Sequence, residues 1–149
     1  MALYHFSVRH VSRGKGQMVV ASAAYISGQR IFDSYYNKIH DYTSKSGVIF
    51  TEILTPEYVP ERLTDRETLW NEVEHVERNN KAQLAYSFDI ALQNELTLEE
   101  NIRLAKEFCQ EQFVARGMIV DLAIHEGKSD NEEEPDNPHF HVLVPIRPF

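Results

Sequence analysis

The sequence predicts an α+β fold, a mainly antiparallel central sheet of about five strands with helices packed on it. Three observations predict it. Segments of strand and helix periodicity follow one another in the order β, α, β, α, β, α, β, β. Two capping boxes, Thr64-Asp65-Arg66-Glu67 and Thr97-Leu98-Glu99-Glu100, mark helix starts. The last two apolar runs are joined by one polar, Pro-containing loop, Glu126 to Pro138, as in a hairpin. Such connections make an antiparallel sheet, here expected to carry its helices on one face.

Leu3 to His10 alternates apolar and polar residues and reads as the first strand, although Leu3 is out of phase with Tyr4, Phe6 and Val8. Its His5 and His10 are candidate ligands, although a surface histidine is the commoner reading of each. Val11 to Gln17 reads as a flexible basic loop able to approach a phosphate, but without the Gly-Lys-Ser/Thr ending of a P-loop. Met18 to Ile26 is alanine-rich and helical, stopping near Gly28, with small residues that allow close packing on a sheet. Tyr25 lies in its last turn, and from pattern alone a packing role is the commoner one for it.

Gln29 to Gly47 reads as a long loop in which Tyr35, Tyr36 and Tyr42 accompany Lys38, His40 and Lys45. Such a mixture either stacks nucleobases or anchors the loop. Val48 to Leu54 is a strand. The first capping box opens a helix with the stripe Leu69, Trp70, Val73 and Val76, ending near Asn79-Asn80. Leu84 to Leu92 is a strand with Leu84, Tyr86, Phe88 and Ile90 on one face and Ala85, Ser87, Asp89 and Ala91 on the other. The second box opens a helix running to about Ala115, with Ile102, Ala105, Phe108 and Cys109 buried and Gly117 closing it.

The 149 residues suit one well-buried domain, residues 1–149, and 42% hydrophobic content is ordinary for a globular chain. No apolar run has the length of a membrane span, and no signal peptide is visible. The single cysteine, Cys109, excludes an internal disulfide and suits a reducing cytoplasm. The net charge of −8 is uneven. Residues 1–50 hold six Lys/Arg against two Asp, a net +4, which leaves −12 for the remainder. Phosphate binding depends on local charge, so a nucleic-acid partner is compatible, although such asymmetry is more often plain solvated surface.

The chemistry lies in the closing hairpin. In Asn137-Pro138-His139-Phe140-His141, a strand places both histidines on one face and Phe140 on the other. Met118 to His125 reads as the partner strand, and the hairpin brings His125 beside the pair. Three imidazoles can hold a divalent cation.

These segments, taken together, resemble the N-terminal relaxase domain of the MobA/MobL type within the HUH endonucleases. The resemblance runs through Ala23-Ala24-Tyr25 with Gly28, Asp41-Tyr42-Thr43, Glu52-Ile53-Leu54-Thr55-Pro56, Leu69-Trp70-Asn71-Glu72, Ala123-Ile124-His125 and Asn137-Pro138-His139-Phe140-His141. It implies a bacterial, cytoplasmic enzyme of plasmid mobilisation that nicks single-stranded origin-of-transfer DNA and stays joined to the 5′ end through a phosphotyrosine. On the matching positions Tyr25 is the implied nucleophile, Asp89 an acidic catalytic residue, and His125, His139 and His141 the ligands of Mn²⁺ or Mg²⁺, with Zn²⁺ an alternative. Arg13, Lys15, Lys38 and Lys45 are the candidate DNA contacts, and accessory mobilisation proteins are candidate partners. The resemblance further implies an isolated or truncated domain of a longer protein. Ile26 and Tyr86 stand where many members carry arginine, and Phe140 where alanine is usual. The rival functions are an HUH replication initiator or transposase, and a non-catalytic metal- or DNA-binding module. A histidine-triad hydrolase fits less well, because Leu143 occupies its third His position.

Overall fold

In the computed structural model, residues 6–127 and 137–147 are described. Five strands form one sheet: β1 (Phe6–Ser12), β4 (Val48–Leu54), β5 (Gln83–Ala91), β6 (Val120–His125) and β7 (His139–Pro145). Their order is β1-β5-β7-β6-β4, and every neighbouring pair is antiparallel. The expected strand start at Leu3, with His5, lies outside the described residues, as does most of the loop expected from Glu126 to Pro138.

Helices cover both faces of the sheet, not one. On the first face, α1 (Val19–Ser27) and α2 (Arg66–Val76) pack through Val20, Ala23, Leu69 and Trp70 onto Val11, Ala85, Ala123 and Leu143. On the second, α3 (Leu98–Gln112) packs through Ala105 and Cys109 onto Leu122, Ile124, Phe140 and Val142. The run Val142-Leu143-Val144 shows why: all three are buried although they alternate in direction, so β7 has a covered side on each face. Ala23 and Ala24 are wholly buried, and their small side chains let α1 sit close to the sheet. Behind the histidines, the Phe140 ring meets Phe108 of α3 edge-on at 5.8 Å. The Cys109 thiol is buried there, and desolvation pushes it up to about 12.

The segment expected to be one long loop contains a hairpin, β2 (Arg30–Asp33) and β3 (Lys38–Asp41). Its turn is made by Asp33, whose carboxylate accepts from the N–H groups of Tyr35 and Tyr36, with Asn37 at φ 53°. The other Asp33 oxygen faces His40 Nε2 at 2.9 Å, and both side chains are buried. Strand periodicity was obscured because the inward residues include these polar ones. The hairpin is tied to α2, where Glu67 accepts from the Phe32 N–H and Asn71 from the Ser34 N–H, each at 2.8 Å.

Helix boundaries also differ. Asp65, not Thr64, caps α2, accepting from the Thr68 N–H at 3.0 Å; Thr64 closes the preceding 3₁₀ turn by donating to the Glu61 carbonyl. The helix ends at Val76, which is exposed instead of belonging to the buried stripe. The Thr97–Glu100 box caps α3 as expected, with both reciprocal bonds formed. That helix ends at Gln112, and a separate 3₁₀ turn, Val114–Arg116, leads to Gly117 at φ 88°.

Arg13 is not presented to a ligand. Its side chain is 6% exposed in a 3₁₀ turn, where flexible loop was expected. It donates through Nε and Nη2 to Glu74 Oε1 at 3.2 Å, through Nη2 to the Glu74 carbonyl, and through Nη1 to the carbonyls of Glu77 and Asn79. These bonds occupy the guanidinium, so Arg13 leaves the set of DNA contacts and becomes the brace between β1 and α2. Removing one partner of a buried pair leaves the other charge without compensation. Burial already raises the Glu74 carboxyl above its ordinary range, and Arg13 opposes that rise. Arg13→Ala is therefore expected to cost about 3 kcal/mol of stability. Urea unfolding measures it, and a loss below about 1 kcal/mol would show that the pair does not brace the fold.

Candidate functional site

Register builds the site. His139 lies opposite His125, and His141 opposite both Ala123 on β6 and Asp89 on β5. Cross-strand partners point to the same side, so all three imidazoles and Asp89 share the face covered by α1 and α2. The ligand nitrogens of His125, His139 and His141 lie within 4.8 Å of one another, and their ring centroids are 4.5–5.2 Å apart.

Two backbone carbonyls orient these rings. The Ile26 carbonyl accepts from His125 Nε2 at 2.9 Å, leaving Nδ1 for an ion. The Asn137 carbonyl accepts from His139 Nδ1 at 3.1 Å, leaving Nε2. Burial pushes His125 below the ordinary histidine value and takes His141 down to about 4, against the opposing pull of the Asp89 carboxylate on both. Both rings are therefore neutral at neutral pH, the form that ligates a metal. The donor set fits a borderline divalent cation: three imidazole nitrogens and no thiolate.

Tyr25 occupies the last full turn of α1, which ends at Gly28 with φ 66°. Half of its surface is exposed (50%), so the ring is not sealed in the core. It borders a cavity shared with His141, and its neighbour Ile26 carries the carbonyl that orients His125. Lys45 Nζ lies 3.5 Å from the Tyr25 ring centroid and donates to the Tyr25 carbonyl at 2.9 Å. The same ammonium bears on His125 and His141, lowering both. Tyr42 meets the Tyr25 ring edge-on at 5.3 Å.

The sequence-identified residues thus divide. Tyr25, Lys45, Asp89, His125, His139 and His141 are brought together. Lys15 and Lys38 are exposed on separate elements, and neither borders the cavity beside Tyr25. His10 packs against Tyr86, 5.0 Å between centroids, and its ring is not among the converging three. Of the three tyrosines in the 29–47 segment, Tyr35 and Tyr36 pack on one another, and Tyr35 also under Arg13, as anchors. Only Tyr42 reaches the site. Sequence reasoning missed the Ile26 and Asn137 carbonyls, since any residue can supply one.

It also missed the support beneath. The buried Asp121 carboxylate, on the same strand as His125, accepts two bonds from Arg66 at 2.7 Å and one from Trp70 Nε1 at 2.8 Å. That fixes β6 to α2. In the sequence the indole is legible only as part of a helix's apolar stripe, and the guanidinium only as part of its capping box.

Comparison with known proteins gives a consistent set. The MobA/MobL family model matches residues 17–149. The conjugal transfer protein TraA of Rhizobium radiobacter is 37% identical over 159 residues, covering 100% of this chain and 14% of that protein. The probable mobilization protein MobA of Bifidobacterium longum is 34% identical over 147 residues, covering 99% of this chain and 25% of that protein. The chain therefore spans 14–25% of the length of these curated relatives. A solved structure, reported as the molecular basis of vancomycin resistance transfer in Staphylococcus aureus, superposes with a TM-score of 0.87 at 41% identity. It covers 98% of this chain and 71% of that one.

Proposed function

Because the chain belongs to the MobA/MobL family, we propose that it is a relaxase: a metal-dependent strand transferase that nicks single-stranded origin-of-transfer DNA for plasmid mobilisation. The observation that carries this is three imidazoles converging within 4.8 Å, tied through the Ile26 carbonyl to the helix turn that presents an exposed Tyr25.

In this proposal His125, His139 and His141 hold a divalent ion, Mn²⁺ ranked before Mg²⁺ for its affinity for imidazole, with Zn²⁺ as the alternative. When bound, the ion supplies positive charge for the non-bridging phosphate oxygens and for the charge that develops in the transition state. The Tyr25 phenol oxygen attacks phosphorus, the bond to the 3′ oxygen breaks, and a tyrosine–phosphate bond forms to the 5′ end. The phenol proton leaves and the 3′ oxygen gains one, so the step balances and is reversible. Lys45 holds the Tyr25 ring and adds positive charge beside the incoming phosphate. Asp89, opposite His141, offsets the cost of burying positive charge and stands near enough to assist proton movement. The partners are single-stranded DNA and accessory mobilisation proteins, and the compartment is the bacterial cytoplasm. Among the described residues no helix is long and apolar enough to cross a membrane.

Lys45→Met keeps the length of the side chain and removes its charge. Cation–ring contacts contribute about 1–2 kcal/mol when partly desolvated, so strand transfer is expected to slow about tenfold. The change should fall on the rate at saturating DNA more than on affinity, and an effect confined to affinity would reduce Lys45 to an ordinary phosphate contact.

The reading as a whole is tested with fluorescent single-stranded origin DNA and Mn²⁺, followed by denaturing electrophoresis. A protein-linked fluorescent band is expected. Binding without any linked band, under conditions where the protein is folded and metal-loaded, would leave a DNA-binding module in its place.

A further inference from the structure

A cavity of about 370 Å³ opens between β1 and α1, bordered by Arg9, Gln17, Ala21, Ser22, Tyr25 and His141. We propose that it seats one unstacked nucleobase next to the reacting phosphate, and that Arg9 and Gln17 read the edge of that base. The inference rests on the strand-transfer reading above.

Position is the first argument. Tyr25 and His141 form part of the cavity wall, so whatever fills it lies against both the attacking phenol and the ion-holding strand. Wall chemistry is the second. Val11, Met18, Ala21 and Ile26 contribute apolar surface, and the Tyr25 and Tyr42 rings stand perpendicular to each other at its border. A phosphate placed there would lose water to apolar groups. A base has apolar faces that such walls accept, and only its edge needs polar partners.

The polar partners are the third argument. Arg9 pairs in register with Ser87, on the Asp89 and His141 face of the sheet. Its side chain is exposed and, among the described residues, forms no ion pair or hydrogen bond, unlike that of the fully engaged Arg13. Gln17 is already oriented: its Oε1 accepts from the Ser12 N–H at 2.8 Å, which leaves its NH₂ group to donate. A guanidinium and an amide NH₂ form a donor-only pair. They match a base edge that presents two neighbouring acceptors, as guanine (O6 and N7) and cytosine (O2 and N3) do. Adenine sets its amino group beside both N1 and N7, so on either edge one of the two donors meets another donor. The cavity therefore discriminates against adenine at one position flanking the nick.

Covalent capture tests this. A randomised single-stranded DNA library is incubated with the protein and Mn²⁺, washed under denaturing conditions, and the linked DNA and its released flank are sequenced. For the unaltered protein one flanking position should show adenine depleted roughly tenfold or more. Arg9→Met and Gln17→Leu, at an exposed strand position and a turn, should each relax that position while preferences elsewhere stay. Ala21→Phe, which fills the cavity, should lower capture of all sequences. Unchanged preference at every position in both Arg9→Met and Gln17→Leu would overturn the base-reading role. Capture unaffected by Ala21→Phe in a protein with unaltered circular dichroism would overturn the seat itself. No linked DNA from the unaltered protein would defeat the strand-transfer reading and the cavity's role with it, an outcome distinct from capture without discrimination.

Discussion

Tyr25→Phe is expected to abolish the covalent protein–DNA product while leaving the fold and DNA binding nearly unchanged. The substitution removes one oxygen from a side chain that is half exposed, so no cavity forms and no buried bond is lost. Ring contacts to Lys45 and Tyr42 persist, because Lys45 addresses the ring and the backbone carbonyl and Tyr42 the ring alone, neither of them the hydroxyl. What disappears is the only atom able to form the phosphodiester link from this position. The loss should therefore be complete within detection. Tyr42 supplies the stringent control. Its ring is 5.3 Å from that of Tyr25, and among the described residues it is the neighbouring phenol that could substitute for it. Tyr42→Phe should retain the product, and the double variant should behave as Tyr25→Phe alone. Product formation by Tyr25→Phe at more than a trace level would remove Tyr25 from the chemistry.

His139→Ala is expected to have the second-largest effect. His139 is half-buried at the start of β7, opposite His125, and its Nε2 is left available by the bond from Nδ1 to the Asn137 carbonyl. Losing one of three ligands should weaken the ion enough that, at limiting Mn²⁺, strand transfer falls by about 10²–10³, the cost typical of removing one electrostatic contact to the transition state. High Mn²⁺ should restore part of the rate, because two imidazoles remain. Isothermal titration with Mn²⁺ separates the causes: weakened binding with recoverable rate marks a ligand, whereas unchanged binding with full activity would exclude His139 from the centre. Chelation of the unaltered protein should reproduce the loss.

Much of this was legible in the sequence because it rests on periodicity. A His-x-His in a strand must share a face, and a hairpin fixes which residues can join it. The Ala91, Asp89 and Ser87 face of β5 was likewise set by alternation, and the Thr97–Glu100 box by local bonding. Two of the failures share a cause, which is polar residues used inside. Asp33 and His40 face inward in the β2–β3 hairpin, so alternation of apolar residues does not reveal it. Arg13 looked like a phosphate contact because its partner Glu74 is 61 residues away. Thr64 and Asp65 are both good caps, and only the preceding 3₁₀ turn decides between them. Helices on both faces followed from a fully buried run, which composition alone does not distinguish from a one-sided strand.

The attachment point of the DNA is the most direct measurement. Trapped product is digested with trypsin and the nucleotide-bearing peptide identified by mass spectrometry. Cleavage after Lys15 and Arg30 releases residues 16–30, whose only tyrosine is Tyr25, while Tyr42 lies in the separate peptide 39–45. The nucleotide should be found on the 16–30 peptide, and only in samples given a divalent metal. A nucleotide on the 39–45 peptide, or the same product after complete chelation, would contradict a centre built from three histidines and the phenol at the end of α1.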